Sequence, residues 1–466
     1  MSRSLRIRSD NASGATMESD TPSSEPTSTA RSDSAGSRAV EPAVEPAEVG
    51  FDAQRLQRIA AHLNRYVDDG RLPGVSVLLT RGGQIAYSHR YGHRDCERSL
   101  PVTADTIYRI YSMTKPIVSI AAMQLYEQGK LLLKDPVSRW IGEFADARVF
   151  AGGNAAQYQT REPASEITVH SLLTHTSGLT YDFHFANVVD ELYRANGFNW
   201  GAPGNLEETC EALASLPLLF DPGSEWNYSY STDVLGRVVE LVSGQALDDY
   251  LTEHVTGPLG MVDTGFQVPE GEVERFAANY TTAALAARVG AGNTGRSVPT
   301  YRSDNPGLAR RLIDDPRTSP YLAPPKILSG GGGLVSTMGD YHRFTQMLRN
   351  GGELDGARII GSRTLAFMAS NHLPDGADLT QFGRALFSET AFDGVGFGLG
   401  FSVVLDPAKT KTVCSTGEYA WGGAASTAFW VDPVEDITVV FLTQLLPSSV
   451  HPIRTELKPL VYQALV

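Results

Sequence analysis

The chain has 466 residues, 42% of them hydrophobic and 20% charged, the proportions of a soluble globular protein rather than a disordered one. A net charge of −14 argues against a nucleic-acid partner, which calls for a basic face. No apolar run approaches the roughly 18 residues of a membrane span, and Arg3, Arg6 and Arg8 are followed by no apolar signal core. The expectation is therefore a cytoplasmic protein with no membrane partner. Three scattered cysteines, Cys96, Cys210 and Cys414, suit a reducing compartment, show no Cys-x-x-Cys spacing, and predict neither a disulfide framework nor a metal site.

Residues 1–48 are rich in Ser, Thr, Ala, Glu and Pro and are expected to form a disordered tail, because they hold too little apolar surface to offset ordering entropy. The folded part begins at Phe51. Leu56, Ile59, Ala60, Leu63 and Tyr66 recur at helical spacing and predict a helix over 52–69. The β-rich runs 74–80 and 84–89, split by Arg81-Gly82-Gly83, predict a hairpin. Residues 106–110 lead into a second helix. Its run from Ile117 to Tyr126 is apolar nearly all round, so it is central and buried, and Gly129 stops it.

A turn-rich segment at 135–144 precedes a helix of about two turns within 166–179, ended by Gly178. Here His175 is read as fixing the following loop rather than as a catalytic base. Pro222-Gly223 marks a turn. The next helix, 233–242, takes Ser231 or Thr232 as its cap and Gly244 as its stop. Residues 268–326 are rich in Gly, Pro and Arg and read as a long surface excursion. Ser329 to Val335 reads as a tight turn before a helix over 337–349, since it lacks the Lys-Ser/Thr ending of a phosphate loop. The end of the chain reads as an antiparallel meander, with strands at 397–405, 424–431 and 437–443, and a closing helix at 452–465.

This order predicts an α/β (α+β) fold. An antiparallel sheet lobe is drawn from 51–110 and 327–466, and a mostly helical lobe from 111–326 is inserted between its halves. The length also exceeds what one hydrophobic core usually spans.

Chemistry points to Ser112-Met113-Thr114-Lys115, the sole Ser-x-x-Lys in a chain with few lysines. On a helix, residues three apart share a face, so an amine at Lys115 can reach a hydroxyl at Ser112. A serine hydroxyl needs such a neighbour to become nucleophilic, and arginine, always charged, cannot accept its proton. Pro116 is tolerated only in a first helical turn, which places Ser112 at the positive end of the helix dipole. Tyr228 is a candidate proton partner, its phenolate stabilised by Lys115, although on the residues alone an aromatic wall residue beside Trp226 and Tyr230 is the favoured reading. Trp421-Gly422-Gly423-Ala424 begins a strand whose glycines admit close approach. The amides of Ser112 and Ala424 are candidate oxyanion donors, although the same residues fit a β-bulge. No Gly-x-Ser-x-Gly is present, which excludes an α/β-hydrolase nucleophile elbow.

Taken in order, Ser112-Met-Thr-Lys115, Leu172 to Leu179, Pro222 to Ser229 and Trp421-Gly-Gly423 resemble the serine β-lactamase-related family, and among its members the family VIII carboxylesterases. The resemblance runs from about residue 51 to the C-terminus. It implies acylation of Ser112 by a small-molecule ester, with Lys115 assisting and Tyr228 as general base, the amides of Ser112 and Ala424 as the oxyanion hole, and no cofactor or metal. It leaves oligomeric state open. Substrate contacts are expected from Trp421, Gly422, Gly423 and Tyr230. Where class C β-lactamases carry Tyr-x-Asn and Lys-Thr-Gly, this chain has Tyr228-Ser229-Tyr230 and Trp421-Gly422-Gly423. The lost cation should weaken binding of anionic β-lactams, which puts ester hydrolysis first and β-lactam, D-peptide or acyl-transfer chemistry second. A catalytically silent binding protein is the alternative of another class. Two Ser-Asp-Asn triplets, at 9–11 and 303–305, match a motif of penicillin-binding enzymes but are read as accidental.

Overall fold

The computed structural model describes residues 40–199, 201–282 and 310–466. Residues 1–39 of the expected tail, part of the 268–326 excursion and both Ser-Asp-Asn triplets lie outside the described residues. Of the tail's remainder, Val40 is buried, Ala43 N–H donates to Ile85 O at 3.0 Å, and Pro46–Val49 form a 3-10 turn.

An eight-stranded antiparallel sheet organises the molecule. Its strands are β1 (Gly74–Arg81), β2 (Gln84–Asp95), β3 (Leu100–Pro101), β4 (Val395–Phe397), β5 (Ser402–Val404), β6 (Tyr419–Gly423), β7 (Thr427–Asp432) and β8 (Ile437–Leu442). They lie in the order β4-β5-β6-β7-β8-β1-β2-β3. The first hairpin therefore completes a sheet begun by the last strands, with Ser76 opposite Leu442 and Arg81 opposite Ile437. The antiparallel mixed α/β architecture agrees with the sequence. Two local readings are corrected. Residues 397–405 form two strands, because the 398–401 segment turns at Gly400, whose φ is +93°. The strand expected at 424–431 starts at Thr427, because Ser426 adopts φ +68° and closes a turn after β6.

Alternation along β1 explains the two layers. Val75, Val77 and Leu79 face a core shared with helices α1 (Ala53–Asp68) and α5 (Ile453–Tyr462). Leu78 faces the larger core, which holds α2 (Thr114–Glu127), α3 (Ser231–Ser243) and α4 (Met338–Arg349). Asp52 caps α1 by accepting from the N–H groups of Gln54 and Arg55 at 2.9 and 3.0 Å. Gly244 ends α3 in the left-handed region. The helix read between 166 and 179 is shorter, Val169–Leu173, with a reciprocal Thr168/Ser171 cap. His175 breaks it with φ +55°.

The C-terminal helix is braced to the sheet through buried charge. Lys458 pairs with the buried Glu418, and Tyr462 Oη lies 2.8 Å from Glu418 Oε2 and 2.5 Å from Asp432 Oδ2. The second oxygen of Asp432 accepts from the N–H groups of Val434 and Glu435. All three cysteines are free thiols, and no helix among the described residues is long and apolar enough to cross a membrane.

Candidate active site

The segment carrying Ser112 is held from three sides. Ile107–Arg109 pairs antiparallel with Val335–Thr337, and Ile110 N–H continues the pairing to Leu334 O at 3.1 Å. Tyr111 then takes φ +44°, a region costly for an L residue with a bulky side chain. Asn279 Nδ2 contacts its hydroxyl at 2.7 Å. Ser112 follows in a single 3-10 turn, Tyr111–Met113, which runs straight into α2. The next residues are pinned by Tyr341 Oη–H to Met113 O (3.0 Å) and Leu334 N–H to Thr114 Oγ1 (3.2 Å). Ser112 stays 8% exposed at the start of a helical run whose Thr114 to Leu125 are all buried.

Lys115 Nζ lies 3.2 Å from Ser112 Oγ and donates to Gly331 O at 2.5 Å. It also sits 4.6 Å from the ring centre of Tyr228 and 5.4 Å from that of Tyr181. Burial is the main influence on this amine and lowers its pKa to about 8, while the carboxylates of Asp233 and Glu389 act in the opposite sense. Gly331 is fixed by the buried Asp233 in the first turn of α3. Asp233 Oδ1 accepts from Gly331 N–H (3.2 Å) and Ser329 Oγ (2.6 Å), and any Cβ on Gly331 would stand 2.3 Å from the same carboxylate. The glycine run read as a plain turn thus supplies the carbonyl that orients Lys115. Asp233, Gly331 and Tyr181 are the contributors the sequence reading missed. Only Asp233, an acid opening a largely apolar helix, left a visible signal.

Tyr228 is 1% exposed, and its hydroxyl has no hydrogen-bond partner of good geometry among the described residues. Burial raises its pKa well above the ordinary phenol value, and Glu389 adds to that. The side chains of Ser112 and Trp421 are near enough to favour the ionised form. Its ring packs on Trp421 (5.4 Å between centres), on Trp226 in a near-parallel stack (6.5 Å, 6°) and on His175 (5.1 Å). Ser112, Lys115, Tyr228 and Trp421 are therefore together. Tyr230 stands one layer back: its hydroxyl donates to Asp182 Oδ1 at 2.7 Å and its ring supports Tyr181. His175 is buried, its Nδ1 lies 3.2 Å from Ser229 Oγ and its carbonyl accepts from Asn227 N–H, so it fixes the loop that carries Tyr228. Burial, then the Lys115 charge, keeps its imidazole neutral.

The end of β6 comes against the segment carrying Ser112 through Gly423. A Cβ there would lie 2.3 Å from Ile110 O and 2.4 Å from Thr427 Oγ1, so only glycine allows the approach. Ala424 is the next residue, one step past the last ladder pair, Gly423 with Thr427. Among the described residues no cluster of three or more His, Cys, Asp or Glu side chains could hold a metal. His89 and His93 have the spacing of a helical metal pair, but both lie on β2, where four residues span roughly 13 Å.

The family model described as Beta-lactamase matches residues 59–463. The chain belongs to the beta-lactamase family. Esterase EstB of Burkholderia gladioli is 33% identical over 428 residues, covering 90% of this chain and 98% of the esterase. Protein Rv1367c of Mycobacterium tuberculosis is 34% identical over 391 residues, covering 83% and 90%. Among solved structures, EstCE1, described as a hydrolase with promiscuous acyltransferase activity, superposes with a TM-score of 0.70 at 29% identity, covering 88% of this chain and 99% of its own. The beta-lactamase-family fold and the kinship to esterases are thus established, and the chain is placed among that family's serine hydrolases.

Proposed function

We propose that the protein is a carboxylesterase that works through an acyl-enzyme on Ser112. The observation that carries this reading is the 3.2 Å contact between Lys115 Nζ and Ser112 Oγ in a site where burial brings the amine to about pH 8. A neutral Lys115 donates one N–H to Gly331 O and turns its lone pair to the Ser112 hydroxyl. Ser112 Oγ attacks the ester carbonyl as its proton passes to Lys115, and the oxyanion develops towards the N–H groups of Ser112 and Ala424. Tyr228 Oη, near Ser112, relays a proton to the departing alkoxide. Water then repeats the sequence in reverse and releases the acid. The resemblance gives the base to Tyr228; the opposite pKa shifts of the two groups support Lys115 as the first acceptor and Tyr228 as the relay.

The substrate is a small ester with an apolar or aromatic acyl part, a reading supported by the rings of Tyr181 and Tyr228 beside the amine, with Phe183 stacked on Tyr181 and Trp421 against Tyr228. The description of EstCE1 favours acyl transfer to an added alcohol as a second outcome of the same intermediate. The test is hydrolysis of short p-nitrophenyl esters and of a chromogenic cephalosporin by wild type and by Ser112→Ala, with and without an alcohol acceptor. Ester cleavage lost in the variant, with little cephalosporin turnover, is the expected result. Cephalosporin turnover without ester cleavage moves the protein to the lactamase branch, and inactivity with an unlabelled Ser112 leaves a binding protein.

A further inference from the structure

Arg454, at the start of α5, reaches back to the turn that carries Ala424. Its Nη2 donates to Gly423 O at 2.8 Å and Thr427 O at 2.7 Å, the paired ends of β6 and β7. Its Nη1 donates to the main-chain oxygen of Glu389 at 2.9 Å and lies 2.7 Å from Glu389 Oε2. The Glu389 side chain has no solvent exposure, and Ser448 Oγ donates to the same carboxylate oxygen at 2.9 Å. Gly422 makes room for the guanidinium: a Cβ there would stand 2.4 Å from its central carbon.

Gly423 C=O and Ala424 N–H belong to one peptide unit. The unit is planar and trans, so the carbonyl and the N–H point in opposite directions. A cation fixed on that oxygen sets the direction of the N–H on the far side. It also withdraws electron density through the amide and makes the N–H a stronger donor. A bare hairpin turn needs no such partner, since Gly423 and Thr427 are already paired. Burying a carboxylate to hold a guanidinium there is costly and stabilises the fold less than an apolar pair of the same size would.

We propose that Arg454, held by Glu389, is a positioning residue that aims and polarises the Ala424 N–H towards the oxyanion. This rests on the acyl-enzyme reading above. The test uses the full chain and two readouts: steady-state hydrolysis of p-nitrophenyl esters, and the rate at which a p-nitrophenyl phosphonate modifies Ser112. The variants are R454A, E389Q and the double variant E389Q/R454M, which removes both charges and leaves no buried carboxylate unpaired. We expect kcat and the phosphonylation rate to fall roughly 10- to 100-fold in R454A and in the double variant. KM should stay within about twofold, E389Q should lie between these and wild type, and added guanidinium ion should restore part of the R454A rate. Thermal melts establish that each variant is folded. Wild-type rates in E389Q and in the folded double variant overturn the proposal, as does a loss confined to KM. If the phosphonate fails to modify Ser112 in wild type, the acyl-enzyme reading falls and this proposal with it. Normal wild-type labelling with unaffected variants removes this proposal alone.

Discussion

Two buried polar clusters in this molecule are built to different rules. In the brace of α5, Glu418 is met by Lys458 and Tyr462, and Asp432 by Tyr462 and two backbone N–H groups. Around Ser112, by contrast, Tyr228 Oη, Trp421 Nε1 and Glu389 Oε1 are buried with no partner of good geometry among the described residues, although Tyr228 Oη stands near Ser112 and Trp421. An unmet buried polar group costs on the order of 1–3 kcal/mol, so native chains keep few of them. The difference separates a cluster whose carboxylates are saturated by their neighbours from one in which several polar atoms stay unsaturated, as the proposed chemistry at Ser112 needs. The first should answer to stability measurements and the second to rate measurements.

The sharpest way to break that contrast is Lys115→Met. We expect ester hydrolysis to fall roughly 10³-fold or more, while the thermal midpoint at neutral pH holds or rises. The unfolded chain keeps the lysine proton up to its ordinary value of 10.5, whereas the folded chain releases it at about 8. Deprotonation therefore favours the folded state, and wild type should gain stability between those pH values while the variant does not. Melts at pH 7 and pH 10 check the sign. Next comes Tyr228→Phe, with an expected loss of roughly 10²-fold in kcat. Because the hydroxyl has no partner of good geometry among the described residues, stability should be unchanged or slightly higher, and a clear drop in midpoint would reveal a structural bond.

A smaller effect is the acid limb of kcat/KM. If neutral Lys115 is the acceptor, the rate should decline tenfold per pH unit below about 8. Tyr228, pushed above its ordinary range, should add no limb at lower pH. A limb centred near 6 would assign the base elsewhere. The smallest catalytic effect is expected for Tyr462→Phe, which leaves two carboxylates facing each other without the shared hydroxyl. Stability should drop by about 1–3 kcal/mol by denaturant titration, with kcat unchanged. A change in kcat would erase the distinction between the clusters.

What could be read from the sequence follows the range of the interaction. Helix α1, the first hairpin and the Ser112-x-x-Lys115 spacing are local, set by periodicity and by side chains within a few positions. The role of Gly331 was not legible, because its partner Lys115 lies 216 positions away, and a glycine run looks the same in any turn. Tyr230 was read as a substrate contact because of its place in a motif. Only the packing shows Asp182, 48 positions earlier, taking its hydroxyl. The hairpin of Val149–Asn154 with Gln157–Arg161 escaped notice because its strands are largely exposed and carry polar residues and glycines, with no apolar alternation to read.

The seat of β1 between β2 and β8 has a consequence for the protein's birth. Thr80 and Thr438 touch through their hydroxyls at 2.6 Å and are separated by 358 positions of chain. At a ribosomal pace of roughly 5–20 residues per second, β1 emerges tens of seconds before its neighbour β8 exists. During that interval one edge of a strand whose first seven residues are destined for burial stays open. An open strand edge of that kind invites shelter by a chaperone or by transient contacts of the nascent polypeptide itself, and Ser112 cannot meet the turn that carries Ala424 until nearly all of the message has been translated.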